Sequence, residues 1–132
     1  MGFEELPHTA DCALRVWAED ITALFVEAAL GFNSVSGAQI GEGPRVACKI
    51  TIQGTNAEEL LVAFLTELTY FQEKEHLGFD MFQLQVSPTE ISGSLEGAGL
   101  SSVLRPIKAV TFHNLDIIRT PRGHEALIVL DV

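Results

Sequence analysis

The sequence is 132 residues long, the size of one ordinary domain, and its 47% apolar against 20% charged residues supply a hydrophobic core, which excludes a disordered chain. Eight Lys and Arg stand against 18 Asp and Glu, a formal charge of −10. That balance argues against stand-alone binding to nucleic acid or to an anionic membrane, both of which need clustered positive charge, and favours a basic protein partner or a divalent cation.

Along residues 11–17 the side chains alternate, with Cys12, Leu14 and Val16 on one face and Asp11, Ala13, Arg15 and Trp17 on the other, which predicts a first strand. Asp20 and Thr22 offer N-cap oxygens before Leu24, Phe25, Ala28 and Ala29, the apolar face of a helix expected to end near Gly31. Residues 34–44 are rich in turn formers and read as a loop. From Arg45 on, Val46, Cys48, Ile50 and Ile52 alternate with Ala47, Lys49, Thr51 and Gln53, a strand with one packed face that suits antiparallel pairing. Thr55-Asn56-Ala57-Glu58 matches a capping box. Behind it Leu60, Leu61, Phe64, Leu65, Leu68 and Phe71 form the apolar stripe of a second helix of about four turns, stopped by residues 73–76 and Gly78. Residues 79–87, 91–99, 107–113, 115–120 and 124–132 are partly alternating and separated by Pro or Gly, which predicts four or five more strands. Thr120-Pro121-Arg122-Gly123 is the turn between the last two. The expected fold is α+β, a single domain over residues 1–132 with two main helices packed on a mostly antiparallel β-sheet.

No apolar run approaches the roughly 20 residues of a membrane span, and the start, Met1-Gly2-Phe3-Glu4-Glu5, lacks the basic and apolar parts of a signal peptide. The expected compartment is the cytoplasm. Cys12 and Cys48 show no zinc or redox spacing and read as two core thiols. Trp17 and Tyr70 fall on apolar stripes and read as core or core-edge residues.

No enzyme motif is present: neither a phosphate-binding Gly-rich loop nor a hydrolase nucleophile elbow nor a zinc pattern occurs. Asp11 opens a strongly apolar strand and Asp131 closes one, where an unpaired carboxylate inside the fold is costly. Two readings are open. Asp11 caps a turn and Asp131 frays into solvent; or the strands bring them together. In the second case, taking Val132 as the natural terminus, its main-chain carboxylate joins them in an all-oxygen cluster suited to calcium or magnesium, because adjacent anions repel unless a cation or proton lies between them. Taken singly, His8 reads as a loop residue, His113 as a strand-end residue and Lys108 as a solvated edge charge.

In order along the chain, His8-Thr9-Ala10-Asp11, the following Arg15-Val16-Trp17, the two helix segments, Ile107-Lys108-Ala109-Val110-Thr111-Phe112-His113 and the closing Leu130-Asp131-Val132 resemble the archease family over nearly the whole chain. Phe112 departs from the tyrosine common there. The resemblance implies a small acidic, non-catalytic helper that lets the tRNA-splicing RNA ligase complete guanylylation and turn over repeatedly. It implies a divalent metal held by Asp11, Asp131 and Val132, with His8, Lys108 and His113 nearby as ligase contacts or tuning residues. Two rivals stand beside it: a small metal-dependent hydrolase using the Asp and His residues directly, and a scaffold recognised through its acidic surface.

Overall fold

A computed structural model describes residues 1–7, 12–112 and 114–132. In chain order they form β1 (Gly2–Pro7), β2 (Cys12–Ala18), α1 (Ile21–Ser36), β3 (Gln39–Ile40), β4 (Val46–Gln53), α2 (Ala57–Tyr70), β5 (Leu77–Val86), β6 (Glu90–Ser102), β7 (Ala109–Thr111), β8 (Ile118–Thr120) and β9 (Gly123–Asp131). A π turn, Phe71–Glu75, continues α2 toward β5.

The strands make two antiparallel sheets. The first runs β1-β2-β9-β7, with β8 paired to the opposite end of β9, and the second is built on β6, which pairs with β3, β4 and β5. The expected α+β architecture holds, with the sheet divided in two. Both sheets and both helices share one core, in which Leu14, Val16, Ile128 and Leu130 meet Leu24, Phe25, Leu61, Phe64, Leu65, Ile91 and Leu95, all fully buried. Alternation along β2 and β9 sends these residues to the helix side, and burial of each aliphatic or aromatic side chain is worth ~2 kcal/mol.

Several local expectations are corrected. The strand over 2–7 was not foreseen, because Glu4-Glu5 interrupts its alternation; it is an edge strand, held by its pairing with β2. The helix α1 does not stop at Gly31 but runs five residues further, to Ser36. A Cβ on Gly31 would lie 2.7 Å from Cδ2 of Leu14, so that glycine is a close-packing point between helix and sheet. The true stop is Gly37, in the left-handed conformation at φ 63°, donating to the carbonyls of Asn33 and Ser34. Within the expected loop, Gln39–Ile40 adds a short strand to β6. The cap of α2 is Asn56, whose side chain accepts from the amide of Glu59 at 2.8 Å, while the Thr55 hydroxyl donates to the Glu59 carboxylate at 2.7 Å. Tyr70 is 48% exposed and lies outside the core. Both cysteines are free thiols; Cys12 is buried in the core as expected, whereas Cys48 is only half-buried against its edge.

Phe64 joins the layers: its ring stacks on Phe25 of α1 at 6.1 Å and meets Phe82 of β5 edge-on at 6.4 Å. Phe64→Ala is expected to lower the unfolding free energy by ~3–5 kcal/mol, read as a fall in the urea midpoint with unchanged slope. A loss under ~1 kcal/mol would contradict this packing.

Candidate functional site

Three registers place four parts of the chain at one end of the first sheet. Cys12, the first residue of β2, lies opposite both Pro7, the last of β1, and Leu130 of β9. On the other side of β9, Ala109 lies opposite Asp131, and the Lys108 amide donates to the Asp131 carbonyl at 2.7 Å. Asp131 and Lys108 are exposed, and Val132 is half-buried against the core. Of the residues singled out from the sequence, Lys108, Asp131 and Val132 are thus neighbours on the chain or across β9. His8, Asp11 and His113 lie outside the described residues, and among the described ones no three His, Cys, Asp or Glu side chains form a metal-binding group.

Beneath this end lies a polar framework that sequence reasoning missed. The amides of Leu104 and Arg105 both donate to the Ser36 carbonyl, at 3.1 and 2.9 Å, at the end of α1 where carbonyls lack helical partners. Buried Gln72 accepts from the Ile107 amide at 3.2 Å and donates to the Ser36 hydroxyl at 3.2 Å, which joins the π turn to the segment before β7. Its signal was a polar residue four places after Leu68 on an apolar stripe, a position that demands hydrogen-bond partners. The Arg105 guanidinium reaches Glu5 and Cys12. Burial pushes the Cys12 thiol above its ordinary range; Arg105 draws it down and Glu5 pushes it up, so the net direction is toward the protonated, unreactive form. Lys108 also lines a groove of about 440 Å³ together with Glu73, His76, Val103, Pro106 and Ile107.

A sequence model of the Archease protein family matches residues 3–132. A protein named archease from Methanopyrus kandleri is 30% identical over 141 residues, covering 100% of both chains, and one from Archaeoglobus fulgidus is 28% identical over 137 residues with the same coverage. The fold is similar to the solution structure of Methanobacterium thermoautotrophicum protein 1598, with a TM-score of 0.72 at 24% identity over 99% of each chain. It is equally similar to the crystal structure of an archease, described as a possible chaperone, from Thermotoga maritima, with a TM-score of 0.71 at 15% identity over 98% of this chain and 96% of that one. Among the described residues no helix is long and apolar enough to cross a membrane.

The far end of β9 carries a separate ionic cluster. Buried Glu125 accepts from Arg15 at 3.1 Å, from Thr120 at 3.0 Å and from Arg122 at 3.2 Å, and the Arg122 guanidinium covers the Trp17 ring at 4.0 Å. Burial pushes the Glu125 carboxyl up, but the bonds from Arg15, Thr120 and Arg122 outweigh it and hold the group below the ordinary carboxylate range. A depressed value in the folded state contributes stability that is fully present above the ordinary glutamate value of about 4.3 and is lost as pH falls through the lower, folded value. Glu125→Gln is therefore expected to destabilise at pH 7 and to flatten the acid limb of the stability curve, measured by urea unfolding between pH 7 and 3. An acid limb as steep as wild type would contradict the assignment.

Proposed function

The chain belongs to the archease family, and on that premise we propose that it is a non-catalytic activator of the tRNA-splicing RNA ligase. It promotes ligase guanylylation and repeated turnover, acts in the cytoplasm, and carries a divalent cation, calcium or magnesium, at the end of the first sheet. Asp11, Asp131 and Val132 are its ligands in this reading, and His8, Lys108 and His113 contact the ligase or tune the site.

The observation that supports it best is the register of β2 against β9. Cys12 opposite Leu130 sets the residue that follows Asp11 in the chain beside the residue that precedes Asp131. Carboxylate oxygens are hard donors, the set calcium and magnesium prefer, and neighbouring carboxylates need a counter-charge. The chemistry such a cation supplies is charge neutralisation at triphosphate oxygens, which guanylylation requires. Lys108, exposed and tied through its amide to Asp131, offers an ammonium to phosphate or carboxylate groups of the ligase complex. An acidic surface of net charge −10 suits a cleft that must be basic to hold RNA and nucleotide.

The test is ligase guanylylation with GTP, magnesium and substoichiometric amounts of this protein. Wild type is expected to stimulate it catalytically, whereas Asp11→Ala and Asp131→Ala lose at least about tenfold of the stimulation while unfolding free energies stay within ~1 kcal/mol of wild type. If both variants stimulate as wild type does, the metal-handling reading is withdrawn, and phosphoester turnover by the protein alone would favour the hydrolase instead.

A further inference from the structure

We propose that Arg105 is a positioning residue of this site: its guanidinium fastens the segment that ends in Lys108 to the strands on either side of residues 8–11, and so braces those strands and that segment as one frame. The inference rests on the activator reading.

Three elements converge on this one planar group. Nη2 donates to Glu5 Oε1 of β1 at 2.6 Å, and Nη1 meets the Cys12 sulfur of β2 at 3.3 Å. Nε and Nη2 donate to the Val35 carbonyl in the last turn of α1, at 3.3 and 3.1 Å. Glu5 stands two residues before Pro7, and Cys12 is the first residue after Asp11, so the guanidinium grips both strands that the segment 8–11 connects. An ammonium would present its three N–H donors from one freely rotating nitrogen, whereas the guanidinium spreads its donors over three nitrogens in a rigid plane.

From Arg105 to Lys108 the chain behaves as a short ruler. The Arg105 amide is fixed to Ser36, Pro106 has a locked φ, Ile107 is buried with its amide on Gln72, and the Lys108 amide is fixed to Asp131. The ladders hold β1, β2 and the end of β9 in register, so what the guanidinium adds is a side-chain brace between that segment, the last turn of α1 and the strand ends at Glu5 and Cys12. The side chain itself is 46% exposed, and exposed ion pairs add little to stability, so the main consequence of the contact is geometric.

The experiment compares Arg105→Lys, Arg105→Ala and Glu5→Gln with wild type, using Asp131→Ala as the reference for loss of the site. Two quantities are read on the full chain: terbium luminescence on titration of the protein with terbium alone, and maximal stimulation of ligase guanylylation. Melting temperature is followed in parallel. Arg105→Lys and Arg105→Ala are each expected to weaken terbium binding and lower maximal stimulation by about tenfold, with melting temperatures within a few degrees of wild type. Retention of the charge in Arg105→Lys is not expected to rescue either quantity. Should Arg105→Ala fold poorly, Arg105→Lys and Glu5→Gln carry the comparison, and a loss in both supports the proposal. Wild-type behaviour of Arg105→Lys overturns it, because the planar fork is then unnecessary. If Asp131→Ala has lost both quantities in that same experiment, the activator reading survives without Arg105; if Asp131→Ala is also unchanged, both fall.

Discussion

The structure depends on β9 being sandwiched between β2 and β7. Antiparallel ladders tie residue to residue, and a slip of one position would send Leu14, Ile128 and Leu130 from the core to the outer face. The hydrophobic pattern therefore fixes the register with the force of several buried side chains, and the register in turn fixes which polar residues share the end of the sheet. Asp131, Val132 and Lys108 stand together because of what Leu130 and Val110 must do in the ladder one or two residues away. No attraction between the polar groups is needed to assemble them.

The core and the site are thus two outputs of the same pairing, and the second layer lies between them. Gln72 and Arg105 belong neither to the apolar cluster nor to the exposed end. Each satisfies backbone carbonyls or amides left over where a helix stops and a loop begins, at Ser36, Val35 and Ile107. Such groups are costly if left bare, so the fold needs something there; a guanidinium and an amide fill the places and brace the segment leading to Lys108. The ionic cluster of Glu125 with Arg15 and Arg122, at the other end of β9, has a different character: it is closed on itself, its acceptor capacity taken up by two arginines and Thr120.

Much of the fold was legible from alternation and helical periodicity, and the family from its ordered motifs. The strands β2, β4 and β9 follow the period of two written in Cys12–Ala18, Val46–Gln53 and Gly123–Asp131. What escaped was decided by distant neighbours. Gly31 reads locally as a helix stop, but Leu14 needs the space of its missing Cβ, and the helix continues past it. The β1 strand hides behind adjacent glutamates because its order comes from pairing with β2. At the site, Lys108, Asp131 and Val132 were named from the sequence, whereas Arg105 was not: its side-chain partners lie 70, 93 and 100 positions away, and no local pattern joins them. His8, Asp11 and His113 rest on the family resemblance and on carboxylate chemistry.

The central claim is that oxygens of Asp11, Asp131 and Val132 hold one cation. Anomalous diffraction from crystals grown with manganese, a redox-quiet stand-in for magnesium in an oxygen site, tests it most directly. The account predicts a single strong peak within bonding distance of oxygens of Asp11, Asp131 and Val132. Clear density for those three groups with no peak among them, or a manganese ion bound elsewhere on the acidic surface, would contradict it.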